Sequence, residues 1–126
     1  MSPRAAGATA HELSRVGLLA TLSGETLAKL AQNMRREQVA AGAAVVHEGE
    51  DGDRFYVVLS GMLAVTQASR GPQSLLRPGD YFGEVALAMN MPRTASVRAL
   101  TPATLASCDR ATFAEFIRPL FAEDDA

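Results

Sequence analysis

Apolar positions along the chain change period twice, from helical to alternating and back. In "SGETLAKLAQNM", Leu27, Leu30, Ala31 and Met34 recur at helical spacing. Ser23 is placed to cap that helix, and Glu25 falls in its first turn, where the helix dipole favours an acid. The preceding "AHELSRVGLLATLS" carries a shorter helical pattern. From Arg35 the period shortens. "EQVA", "AAVVHE", "RFYVVLS", "MLAVTQA", "QSLLR", "TASVRAL" and "ATLASCD" read as short strands. Turn signals separate them at Ala41-Gly42, "GEDGD", Ser60-Gly61, "SRGP", "RPGD" and Thr101-Pro102. Phe55, Val57 and Leu59 share one strand face, and Ser60-Gly61 is expected to close a tight hairpin into Leu63 and Val65. After Asp109, a good N-cap, Phe113, Phe116, Ile117 and Leu120 form a helical stripe. Pro119 is expected to end or kink that helix.

Many short strands at regular spacing, with helical stretches at both ends, predict a mainly β fold with flanking helices: a β-roll or jelly-roll-like barrel. Residues 1–9 are small and polar and are expected to fray. Residues 10–121 read as one domain, and 122–126 as an acidic, solvated tail.

Totals narrow the function. At 126 residues the chain suits one core rather than two. Hydrophobic residues at 48% against charged residues at 21% place it among globular chains. Net charge is -2 and no basic run is long enough to track a phosphate backbone, which argues against a nucleic-acid partner. The longest apolar run, "FYVVLSGMLAV", is broken by Ser60-Gly61 and is too short to cross a bilayer, and "MSPRAAGATA" lacks the apolar core of a secretory signal. The lone Cys108 excludes an internal disulfide and suits a reducing, cytoplasmic compartment. Lys29 is the single lysine while arginine and alanine are common, a bias typical of a GC-rich bacterial genome.

Residues 79 to 99, "GDYFGEVALAMNMPRTASVRA", carry the candidate chemistry. Gly83 lets the backbone come close to a ligand, and Glu84 opens a short helical turn whose free N–H groups attract an anion. Arg93 supplies a permanent, planar cation suited to phosphate. Glu84 repels the same phosphate and instead suits hydroxyl donors. A ligand with one phosphate beside a sugar hydroxyl satisfies both residues, and neighbouring apolar strand positions can enclose a flat base. Other constellations are weaker. His47 beside Glu48 and Glu50 lacks the converging histidines of a metal barrel. "EGEDGD" lacks the calcium-loop pattern. Cys108 has no basic partner to make it a nucleophile, and no catalytic set is evident, so a non-enzymatic role is expected.

"FGEVALAMNMPRTASVRA" resembles the phosphate-binding cassette of the cyclic nucleotide-binding domain family, and "VVHEGEDGDRFYVVLSGMLAV" resembles that family's upstream strands and turns. The resemblance spans roughly residues 11 to 121. It implies that Glu84 accepts the ribose 2′-hydroxyl with the Gly83 N–H nearby, and that the Ala86 N–H touches the cyclic phosphate. It implies that Arg93 pairs with the exocyclic phosphate oxygens, Thr94 adds a donor, and Val65 packs beside the ribose or base. Val85 and Ala95 complete the implied ligand-binding set. The implied ligand is cAMP by default. A threonine after the arginine can bond syn guanine in this family, which leaves cGMP open. The implied role is a regulatory sensor for a linked or partner effector, with no metal or cofactor. One departure is the family's second C-terminal helix, the lid over the base, which here is expected to be short or absent. A longer native chain is the preferred account. A partial cap from Leu120 and Phe121, or a lid from a partner, are the others. The rival readings are a family member that has lost its ligand and serves as an interaction module, and a metal-dependent barrel enzyme.

Overall fold

The computed structural model describes residues 8–122. Two four-stranded antiparallel sheets face each other. One has the order β1 (Arg35–Val39), β8 (Ala103–Asp109), β3 (Arg54–Ser60), β6 (Tyr81–Phe82). The other has the order β2 (Ala44–Val46), β7 (Ser96–Ala99), β4 (Leu63–Gln67), β5 (Gly71–Leu76). This is the mainly β roll that the alternation predicts. The two-residue β6 is additional. It pairs with Tyr56 and Val57 and was hidden because two residues show no period.

Alternation on β3 builds two cores at once. Tyr56 and Val58 point between the sheets, where they meet Phe82, Leu105, Val46, Leu63, Leu76 and Val97. Phe55 and Val57, with Leu59 beside them, point to the other side and meet a helical layer. That layer contains α1 (Ala10–Ser14), a 3₁₀ turn (Gly17–Leu19), α2 (Gly24–Gln32) and the C-terminal helix. Leu27, Leu30, Ala31 and Met34 are all buried there, as their spacing requires. Ser23 caps α2 by accepting from the Thr26 N–H at 3.1 Å.

Three expectations need correction. Thr9, placed in the frayed segment, instead forms a capping box for α1. Its hydroxyl accepts from the Glu12 N–H at 3.1 Å, and Glu12 accepts from the Thr9 N–H at 3.0 Å. Residues 1–7 and 123–126, the rest of that segment and most of the acidic tail, lie outside the described residues.

Ser60-Gly61 does not close a hairpin, because β3 and β4 lie in different sheets. Gly61, at φ 89°, turns the chain across the roll, and a Cβ there would lie 2.5 Å from the Pro102 carbonyl oxygen. The Met62 N–H donates to the Thr101 hydroxyl at 3.1 Å, so the corner packs on the β7–β8 turn.

Pro119 does not end its helix. The C-terminal helix runs as α4 (Arg110–Thr112), a π-helical segment (Phe113–Ile117) and α5 (Arg118–Ala122). The Arg118 N–H bonds back five residues to Phe113. Proline has no N–H to donate and its ring crowds the carbonyl four residues back. A wider π turn just before it relieves that crowding.

Asp109 caps this helix as its residue type predicts, accepting from the Thr112 N–H at 2.9 Å. That bond holds the Asp109 carboxyl below the usual carboxylate range. Asp109→Ala should lower stability by about 0.5–2 kcal/mol in thermal melts at pH 7, and Asp109→Asn by less. Because the folded pKa is depressed, the loss should be full above pH 3.8 and should shrink as pH falls through the folded value.

Candidate functional site

A left-handed glycine starts the site. Gly83 is the N-cap of α3 (Glu84–Met89) at φ 96°. A Cβ there would lie 2.8 Å from both the Arg54 carbonyl oxygen and Arg93 Nη1, so no other residue fits without displacing one of them. The first N–H groups of α3 have no partner within the helix and belong to the strip of chain that lines a cavity. Asn90, also left-handed at φ 52°, ends α3 and turns the chain toward Pro92 and Arg93.

Arg93 is 7% exposed. Its Nη2 donates to the Arg54 carbonyl at 2.9 Å and its Nη1 to the Gly83 carbonyl at 3.4 Å. The guanidinium carbon lies 5.9 Å from the centre of the Tyr56 ring, which is itself stacked on Phe82 at 4.8 Å. Its backbone is clamped as well. The Arg93 N–H donates to Glu50 at 2.8 Å, and the Gly49 N–H donates to the Arg93 carbonyl at 2.9 Å. Gly52 completes the seat, since a Cβ on it would come within 2.8 Å of the guanidinium and 2.6 Å of the Ala86 Cβ. Among the described residues no carboxylate forms an ion pair with Arg93. Burial pulls its pKa below the usual guanidinium range, and Tyr56, Asp53 and Glu50 partly restore it. The site therefore holds a desolvated cation supported only by neutral acceptors and by charges beyond contact.

Glu84 is half-buried on the same cavity, with no ion pair among the described residues. Burial raises its pKa above the ordinary carboxylate value, and its own backbone N–H offsets part of that rise. The cavity holds about 240 Å³. It brings together all eight residues singled out from the sequence: Val65, Gly83, Glu84, Val85, Ala86, Arg93, Thr94 and Ala95. Thr94 stands at its exposed rim, and its carbonyl accepts from Gln67 Nε2 at 2.8 Å. Val46 and Val97 add to the apolar wall with Val65. Strand alternation contained that signal, since Val65 and Val97 are register partners. The roles of Gly52 and Tyr56 under the guanidinium had no local signal, because both contacts are between residues far apart in sequence.

Volume does not select this cavity. Clefts of about 400 and 640 Å³ lie elsewhere. The larger has no charged lining residue, and in the other Arg15 shares the lining with Glu12. Other candidates fall away on geometry. His47 meets Glu50 at 3.3 Å on an exposed turn, and no group of metal-ligating side chains occurs among the described residues. Cys108 is fully buried, and burial pushes its thiol up to about 12, far from a nucleophile's range. Leu120 and Phe121 pack on the helical-layer core rather than lining the cavity, with Phe121 edge-on to Tyr81 at 5.7 Å.

A family model described as the cyclic nucleotide-binding domain matches residues 36–119, well over half of the chain. The chain belongs to the cyclic nucleotide-binding domain family. It is 37% identical over 107 residues to a cAMP-dependent protein kinase regulatory subunit of Debaryomyces hansenii, covering 85% of this chain and 24% of that protein. It is 34% identical over 114 residues to the cGMP-dependent protein kinase egl-4 of Caenorhabditis briggsae, covering 86% of this chain and 15% of that one. A crystal structure of the regulatory domain of Toxoplasma gondii PKA with cAMP superposes with a TM-score of 0.82 at 31% identity, covering 88% of this chain and 44% of that one. This cyclic nucleotide-binding domain thus spans about a quarter or less of the length of these curated relatives. These relatives are a yeast and a nematode protein, so they do not support a bacterial source for the arginine and alanine bias. No helix among the described residues is long and apolar enough to cross a membrane.

The raised pKa of Glu84 has a measurable consequence in the free protein. A raised folded pKa means its contribution to stability is full below pH 4.5 and is lost as pH rises through the folded value. Glu84→Gln should therefore raise the melting temperature at pH 7, with the gain disappearing below pH 4.5. Unchanged melting across that range would show that the carboxylate is not held against its solvation.

Proposed function

We propose that this domain is a non-enzymatic sensor of a cyclic nucleotide, with cAMP as the ligand of first choice and cGMP as its competitor, and that it regulates a linked or partner effector in the cytoplasm. One observation carries the reading: a buried guanidinium, without a carboxylate partner among the described residues, shares a cavity with a half-buried carboxylate. A phosphate supplies the missing anion at Arg93, with α3 N–H groups and Thr94 as further donors. A ribose hydroxyl supplies a further donor to Glu84. Val46, Val65 and Val97 give the base an apolar wall. That Arg93 and Glu84 want opposite partners is what singles out a nucleotide over a simple anion.

The relatives agree in kind. The Debaryomyces protein is named for cAMP, the Caenorhabditis protein for cGMP, and the Toxoplasma domain was crystallised with cAMP. By this likeness the effector is a protein kinase or a comparable partner. Regulation follows as a population shift. The cassette gains its partners when the nucleotide arrives, and the C-terminal helix shifts with it. The effect on the partner cannot exceed the ligand's difference in affinity between the two states.

Isothermal calorimetry with cAMP and cGMP on this chain is the direct test, and absence of heat and of thermal stabilisation with either would refute the reading. Arg93→Ala should weaken cAMP binding by about 2–5 kcal/mol, since a desolvated phosphate then lacks its counter-charge. Retained affinity would place the anion elsewhere. Glu84→Gln should weaken cAMP more than 2′-deoxy-cAMP in the same assay. Equal losses would remove the ribose from its role.

A further inference from the structure

We propose that Arg110 is the positioning residue that ties the ligand segment to the C-terminal helix. It does so by holding two backbone carbonyls, that of Gly52 beside Arg93 and that of Leu87 in α3. Arg110 Nη2 donates to the Gly52 carbonyl at 3.0 Å, and its Nη1 donates to the Leu87 carbonyl at 3.2 Å. Gly52 is the residue that leaves room for the Arg93 guanidinium. Leu87 is in the last turn of α3, where carbonyls have no partner within the helix. A planar fork suits two acceptors arriving from different directions, and a lysine offers one point donor instead.

Three features favour a coupling role over a casual surface contact. Asp51 and Asp53 line the same cleft, yet Arg110 forms no ion pair among the described residues and spends its donors on carbonyls. Arg110 is also the first residue of α4, where its own helix dipole disfavours a cation, so its favourable contact lies across the gap. Finally, Arg118 Nη2 reaches the same Leu87 carbonyl at 3.4 Å, so one carbonyl of α3 is held from two points of the C-terminal helix. The Leu87 side chain packs in the same core cluster as Phe113 and Ile117. Any shift of α3 on filling the cavity then pulls on Arg110, and through it on the helix that leaves the domain.

The coupling to ligand rests on the nucleotide reading above, and amide hydrogen exchange separates the two. Wild type, Arg110→Gln and Arg110→Lys are compared with and without cAMP. In wild type, cAMP should slow exchange across residues 84–94 and 110–121 together. In Arg110→Gln, slowing should persist in 84–94 and be lost in 110–121, with affinity about tenfold weaker. Arg110→Lys should fall between. Full slowing across 110–121 in either variant would overturn the proposal. If wild type bound no cAMP, the nucleotide reading would fall, and the ligand-free samples would decide on Arg110. Arg110→Gln should then still speed exchange in 47–53 and 84–91 together, and no change there would overturn its role.

Discussion

A guanidinium withdrawn from water, with no carboxylate in contact with it among the described residues, is the constraint around which the domain is arranged. Exposed ion pairs, such as Arg35 with Glu37 at 3.4 Å, contribute at most about 1 kcal/mol. Burying an unpaired ion costs several kcal/mol, so the seat of Arg93 outweighs any one such surface pair. The rest of the site reads as support for that seat. Two carbonyls accept from it, Tyr56 presents its ring face, two glycines withhold a Cβ, and the 47–50 turn clamps its backbone. Such a group holds its place through these uncharged contacts.

Packing divides the work between two cores that share β3. The core between the sheets makes the apolar wall of the cavity through Val46, Val97, Leu76 and Phe82. The core under the helices holds the other side of the cassette. Within α3, Ala86 faces the cavity and Gly52, while its neighbour Leu87 is buried with Phe113 and Ile117. One short helix therefore joins the cavity lining to the core under the helices. The π segment before Pro119 holds Phe113 and Ile117, so the C-terminal helix has a widened turn at this contact.

How much was legible in the sequence follows from the range of each interaction. Ser23 and Asp109 were identified as caps because capping acts within three residues. Arg93, Glu84 and Thr94 stood out because the ligand segment is contiguous, and the cavity collects every residue named from it. Gly61 was misread because hairpin closure and a crossing between sheets use the same turn chemistry, and only contacts with Pro102 and Ala103 separate them. Gly52 looked like one more turn glycine, since its burden, room for Arg93 and Ala86, comes from residues far along the chain. Pro119 was read by its local rule, but a π turn can absorb the missing donor. Short-range chemistry was visible, and steric relations between distant segments were not.

Neutral supports suit a ligand site better than a carboxylate would. An aspartate in contact with Arg93 would stabilise the empty protein, but it would have to be displaced by every incoming phosphate, and affinity would fall by the strength of that pair. Carbonyls need not leave. A guanidinium has five N–H donors, and here the Gly83 and Arg54 carbonyls take two, so the supports do not use up its donors. Asp53 and Glu50 act on Arg93 from beyond contact, favouring its charge without occupying its donors. On the same cavity, burial raises the pKa of Glu84, and its own backbone N–H offsets part of that rise. The cavity thus carries a buried cation and a half-buried carboxylate on one lining, and the proposed nucleotide reading rests on that pairing.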